Sequence, residues 1–174
     1  MESRITFVIG GTRSGKSSFA LREAAKIKGQ KAHIATAQAL DDEMKERIRK
    51  HKDERGADWD TFEEPLKVPE IIADIKDKYS VIVLDCLTLW LSNLICGDMN
   101  FGKETDDLID VLINPKPETP KLFIVSNEVG MGIVPENELA RRFRDAAGYV
   151  NQKVAEISDE VYLVTAGIPI KIKG

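Results

Sequence analysis

Residues 10–17 read Gly10-Gly11-Thr12-Arg13-Ser14-Gly15-Lys16-Ser17, the pattern G-x-x-x-x-G-K-S. An apolar run at 5–9 precedes it, and a segment rich in helix formers at 17–28 follows, closed by Gly29. A strand, a glycine turn and a helix in that order form the context in which this pattern carries meaning. The glycines let the backbone wrap an anion and aim N–H groups at it. The helix start adds the positive end of a dipole. In such a loop Lys16 bridges the β- and γ-phosphates, and the Ser17 hydroxyl ligates Mg²⁺. The chain is therefore expected to bind a nucleoside triphosphate, and few folds can present this loop.

The rest of the chain alternates between strand and helix patterns. Strands are expected at 31–37, 81–84, 121–126 and 161–165, with an edge strand at 168–172. Helices are expected at 41–55, 66–78, 87–94, 105–113 and 136–158. Residues 59–65 read as short and irregular, 97–102 as turn-rich, and 114–120 and 127–135 as loops. The strands are continuous apolar runs, which is how strands buried on both faces look. The reading is an α/β fold: one P-loop NTPase-type (RecA-like) domain over residues 1–174, its sheet mostly parallel with helices on both faces.

Composition excludes several classes. At 174 residues, 43% hydrophobic and 31% charged, the chain is an ordinary globular protein of one domain's length. Its formal net charge of −4 gives no chain-wide basic footprint for nucleic acid. Cys86 and Cys96 have neither metal-ligand nor disulfide-framework spacing. No run approaches the roughly 20 apolar residues of a membrane span. The opening apolar run is broken too soon for a signal peptide. No nucleic-acid partner, no stable membrane insertion and a cytoplasmic setting are expected.

Two further features bear on chemistry. The run Val81-Ile82-Val83-Leu84 ends at Asp85. A carboxylate there fits Mg²⁺, held directly or through water. It also fits a helix cap, or a contact to a ribose or an acceptor hydroxyl. His33 lies in a strand and reads as structural. His51 lies in a charged helix between Lys50 and Lys52, near Arg47, Arg49 and Arg55. Neighbouring cations disfavour the imidazolium and leave a neutral, nucleophilic imidazole. Asp53 and Glu54 blunt that argument, and from the residues alone a solvated histidine is the better reading.

The segments GGTRSGKS, IATAQALDDEM, RIRKHKDERG, WDTFEEP, VLDCLTLWLSN, VSNEVGMGIVPENELARRFRDAAGYVNQ and VYLVTAGIPIKIKG run in order through almost the whole chain. Together they resemble the bifunctional adenosylcobinamide kinase/adenosylcobinamide-phosphate guanylyltransferase family of cobalamin biosynthesis. The resemblance implies two reactions. One transfers the γ-phosphoryl group of ATP or GTP to the aminopropanol hydroxyl of adenosylcobinamide. The other transfers GMP from GTP to the resulting phosphate through a guanylylated histidine, which corresponds here to His51. It implies nucleotide contacts at Ala35, Thr36, Ala37, Lys52, Asp53, Glu54, Arg55 and Asp85, and at one of Glu63 and Glu64, with Glu63 favoured by its distance from the histidine. It implies a homotrimer with nucleotide sites near subunit boundaries. Glu128 is a candidate to position the acceptor or metal-bound water, or else a loop-structuring carboxylate. Arg141, Arg142 and Arg144 are candidates for the corrinoid phosphate, for a neighbouring subunit, or for a solvated helix face. Residues 93–120 are compact where relatives often carry a longer helical insertion. A kinase without nucleotidyl transfer and a GTP-regulated binding protein are the competing readings.

Overall fold

The computed structural model describes residues 4–38, 56, 58–114 and 120–174. The expected helix at 41–55 lies outside them. The elements in chain order are β1 (Ile5–Gly10), α1 (Lys16–Ala25), β2 (Lys31–Ala35), β3 (Trp59–Glu63), α2 (Val68–Ile75), β4 (Val81–Asp85), α3 (Leu87–Cys96), α4 (Phe101–Ile113), β5 (Lys121–Asn127), α5 (Glu138–Ile157), β6 (Glu160–Thr165) and β7 (Ile168–Lys173). The strands form one seven-stranded sheet in the order β3-β2-β4-β5-β1-β6-β7. Every pairing is parallel except β6 with β7, which is an antiparallel hairpin at the edge.

Alternation along each strand divides the core in two. On one face Val8, Val81, Val83, Phe123, Val125 and Val164 pack beneath Phe19, Ala20 and Ala24 of α1. On the other, Phe7, Ile34, Leu84 and Ile124 meet α2, α3, α4 and α5, with Trp90 fully buried among them. Burying each such side chain stabilises the fold by about 1.5–3 kcal/mol. Both faces are covered, which is why the central strands read as unbroken apolar runs.

Two expectations need correction. Residues 59–63, expected to be irregular, form β3 and pair with β2 from Lys31↔Trp59 to Ala35↔Glu63. This strand lies at the sheet edge and is half exposed, so its pattern is mixed and not apolar throughout. The helix expected at 105–113 begins at Phe101, because the Asn100 side chain accepts the Lys103 N–H and caps it. The glycine at 102 had suggested turn. Smaller differences have similar local causes. The α2 helix starts at Val68, with Pro69 in its first turn. The α5 helix starts at Glu138, after an Asn137 cap.

Candidate phosphate-binding site

The loop at residues 10–15 joins β1 to α1 at the carboxyl end of the sheet, where ligands bind in open parallel sheets. Its shape is held from inside and outside. Within it, Ser14 N–H donates to Gly11 O at 3.2 Å, and Arg13 takes a left-handed conformation with φ 58°. From outside, the Gly167 N–H of the β6–β7 turn donates to Ser14 O at 2.8 Å. A Cβ on Gly10 would lie 2.3 Å from Val164 O, so no other residue fits there without a shift. Gly15 caps α1 at φ 94° and accepts the Phe19 N–H at 2.9 Å. Lys16 is 7% exposed, and its ammonium donates to Gly11 O at 2.9 Å. Thr12 and Arg13 are exposed at the loop's crest, and Ser17 lies in the first turn of α1.

Asp85 ends β4, two strands away from β1. Its register places it on the same sheet face as Val81 and Val83, the face that α1 covers. The buried Cys86 thiol reports both charges of the site. Its pKa is raised first by burial and then by Asp85, while Lys16 acts in the opposite direction. Ala35 lies between Glu63 on one side and Asp85 on the other, in register, so the two carboxylates project from one face across a single strand. Ser17 and Asp85 are hard oxygen donors. Among the described residues no group of three or more His, Cys, Asp or Glu is placed to hold a metal ion. That donor set suits Mg²⁺, which takes few protein ligands and completes its shell with phosphate oxygens and water.

The remaining candidates divide by what already engages them. Glu64 Oε1 accepts the Leu66 and Lys67 N–H groups at 3.0 and 2.9 Å, so it structures the approach to α2. Glu63 stands exposed at the end of β3. Thr36 is 0% exposed, and its hydroxyl donates to Cys86 O at 2.7 Å and accepts Cys86 N–H at 2.9 Å. Ala37 follows, half-buried. Glu128 N–H donates to Gly10 O at 2.9 Å, which ties the end of β5 to the loop, and its carboxylate accepts the Gly130 N–H. Arg141 donates to Pro135 O at 2.9 Å and holds the 128–137 loop. Arg144 lies 3.6 Å from Asp145. His33 is buried, as expected of a structural residue. His51, Lys52, Asp53, Glu54 and Arg55 lie outside the described residues. Sequence reasoning missed Thr88, Asn93 and Gly167, whose partners are distant in the chain and leave no local signal.

A glycine loop between the first strand and helix, a carboxylate at the end of a non-adjacent strand and a seven-stranded sheet define a P-loop nucleotide-binding protein of the RecA-like kind. Solved structures agree on the fold. The RadB recombinase superposes with a TM-score of 0.54 at 15% identity, over 91% of this chain and 73% of that one. An ATPase of the type III secretion system of pathogenic bacteria gives 0.53 at 9% identity, over 97% and 56%. Residues 6–172 match the model of the family described as cobinamide kinase / cobinamide phosphate guanyltransferase, and the chain belongs to that family. It is 41% identical to the bifunctional adenosylcobalamin biosynthesis protein CobP of Pseudomonas aeruginosa, over 96% of both chains. It is 45% identical to the protein of that description, CobU, of Salmonella typhimurium, over 95% of this chain and 98% of that one.

Proposed function

We propose that the chain carries both activities of its family on one phosphate cradle. The observation that carries the reading is the placement of Asp85 on the sheet face covered by α1, the helix that starts at Lys16 and Ser17. In the kinase step, the aminopropanol hydroxyl oxygen of adenosylcobinamide attacks the γ-phosphorus of ATP or GTP. The bond to the β–γ bridging oxygen breaks, the nucleoside diphosphate leaves and the hydroxyl proton is released. In the guanylyl step, an imidazole nitrogen of His51 attacks the α-phosphorus of GTP and pyrophosphate leaves. An oxygen of the corrinoid phosphate then attacks that phosphorus, the N–P bond breaks, and adenosylcobinamide-GDP forms with the histidine restored. A covalent intermediate splits one difficult displacement into two.

The roles follow from the chemistry of each group. Backbone N–H groups of Gly11, Thr12, Arg13, Ser14 and Gly15 hold phosphate oxygens, and Lys16 neutralises charge that develops during transfer. Ser17 and Asp85 would hold Mg²⁺, which would supply charge neutralisation at the phosphates. Glu63, Ala35, Ala37 and Lys52 to Arg55 surround the nucleotide, and the buried Thr36 braces the strand end behind them. The setting is cytoplasmic and the assembly a homotrimer. Among the described residues no helix is long and apolar enough to cross a membrane.

Incubation with α-labelled GTP tests the reading. The protein is expected to acquire acid-labile, alkali-stable label that adenosylcobinamide phosphate removes. His51→Ala is expected to lose the label and guanylyl transfer while keeping the kinase step. Lys16→Ala is expected to slow both transfers by on the order of a hundredfold. A folded, kinase-active protein that takes no label has a kinase activity alone. Loss of the kinase step in folded His51→Ala would overturn the division of roles.

A further inference from the structure

The strand ends that carry the candidate carboxylates are tied together by a chain of buried and part-buried side-chain hydrogen bonds, and most of it starts from one helix. From α3, the Asn93 carboxamide donates to Thr36 O at 2.8 Å and to Pro65 O at 3.0 Å. This single amide thus fixes the end of β2 and the exit from β3. One turn earlier on α3, the Trp90 indole donates to Leu66 O at 2.8 Å. At the helix start, Thr88 Oγ1 accepts from the Asn127 side chain at 2.7 Å, which brings in β5. Asn151 of α5 donates to Asn127 O at 3.2 Å from the other side. Thr36 lies at the centre. Its hydroxyl bonds both backbone groups of Cys86, and its own N–H donates to Asp85 O at 3.1 Å. The backbone that follows the Asp85 Cα, from Asp85 O to Cys86 O, is therefore held by Thr36, and Thr36 is held by Asn93.

We propose that Thr36 and Asn93 are positioning residues that set the Asp85 carboxylate against the phosphate loop, through the Thr36 hydroxyl bonded to Cys86 and the Asn93 amide bonded to Thr36. The inference rests on Asp85 acting as the metal carboxylate. Thr36 is fully buried, with its hydroxyl and N–H turned to the β4 end, so it acts through Asp85 and makes no side-chain contact with nucleotide. A carboxylate that must meet a metal and a triphosphate within a few tenths of an ångström needs such support, since its own strand ends where it begins to function. Removing the hydroxyl strips the Cys86 N–H of its buried partner, while Cys86 O keeps the Trp90 N–H at 3.1 Å, and the strand end relaxes to satisfy the donor.

The pair Thr36→Val and Thr36→Ser separates hydroxyl from volume, and Asn93→Leu tests the second link. Mn²⁺ is the probe. Its binding to the protein–nucleotide complex is read by electron paramagnetic resonance, beside nucleotide affinity in EDTA and the turnover of both transfers. In Thr36→Val and Asn93→Leu, Mn²⁺ affinity is expected to fall tenfold or more, with both turnovers falling alongside it. Nucleotide affinity in EDTA is expected to stay within about threefold, because the loop itself is intact. Thr36→Ser is expected to recover most of the Mn²⁺ affinity. Parent-level Mn²⁺ binding in Thr36→Val overturns the proposal. So does a Thr36→Ser protein as impaired as Thr36→Val, which would assign the effect to the methyl group. Asp85→Asn is run in parallel. If it leaves Mn²⁺ binding unchanged, the metal role of Asp85 fails. If it abolishes binding while Thr36→Val does not, only the positioning role fails.

Discussion

Lys31 is 3% exposed, and its ammonium is held by Asp58 and by Gly29 O at 3.0 Å. Among the residues of β2 it is the one whose charge most needs a partner, because a buried ammonium without one is costly. The hydrogen bond from Lys31 holds the Asp58 carboxyl below its ordinary value. A carboxyl depressed in the folded state contributes stability that is fully present above its unfolded value of about 3.9. That contribution is lost as pH falls through the lower folded value. Asp58→Asn is therefore expected to lower the Tm by a constant amount between roughly pH 5 and 8. The gap to the parent protein is expected to begin closing below about pH 4 and to vanish below the lowered folded value, where the parent carboxylate is itself protonated. Calorimetry across that range checks it, and a gap unchanged in acid would show that the ion pair is not its source. The two glutamates at the end of β3 differ in their surroundings as well. Glu64 accepts from the backbone of residues 66 and 67, while Glu63 stands in register with Ala35 and so in one row with Asp85.

The β6–β7 hairpin shows how an element at the sheet edge reaches the site. Its turn residues Ala166 and Gly167 have φ 50° and 79°, the paired left-handed conformations of a type I′ turn. Alanine is poorly suited to the first position, and asparagine is well suited. Ala166→Asn is expected to raise stability by about 0.5–1 kcal/mol, seen as a higher denaturation midpoint with an unchanged slope. A lower midpoint would mean that Ala166 is held by a contact other than its backbone preference. The turn matters beyond its own strands because Gly167 N–H supports Ser14 O of the phosphate loop. This contact was not legible in the sequence, although the phosphate loop was. The glycine loop is a local pattern, and so is the apolar run that ends at Asp85. Each can be read from fewer than ten residues, because backbone geometry and strand burial leave a mark on adjacent positions. By contrast β3 was hidden, since a half-exposed edge strand lacks the apolar continuity of β1 or β4. The start of α4 was hidden by Gly102, which reads as turn until the Asn100 cap is seen. Asn93 was hidden most deeply. Its partner Thr36 lies 57 residues away, and nothing near either residue announces the bond.

At the scale of the whole molecule, the strand order explains why a helix on one side and a carboxylate from a distant part of the chain come to share a site. With β5 between β4 and β1, Asp85 and the phosphate loop are separated by the width of one strand. Asn127 and Glu128, at the end of that strand, lie between them. The site is thus assembled at the carboxyl end of the sheet, while the stability that holds it comes from both faces. Beyond the sheet, the 128–137 loop and the start of α5 expose Met131 at 80%, Ile133 at 96%, Val134 at 60% and Leu139 at 56%. Isolated exposed apolar residues are ordinary, but a cluster of this size beside a site is how a surface meant for burial looks. The proposed homotrimer gives that cluster a partner. Sedimentation equilibrium is expected to return the mass of three copies of the 19.4 kDa chain. Ile133→Asp is expected to shift the protein toward monomer with its circular dichroism unchanged, since the loop contributes to neither face of the core. If the nucleotide sites lie near subunit boundaries, both transfers weaken in that monomer, and they recover at protein concentrations high enough to restore the trimer. A parent protein that sediments as a monomer while fully active would remove the trimer from the account. It would also leave the carboxyl end of the sheet, with its P-loop, Asp85 and the Asn93 brace, sufficient on one chain.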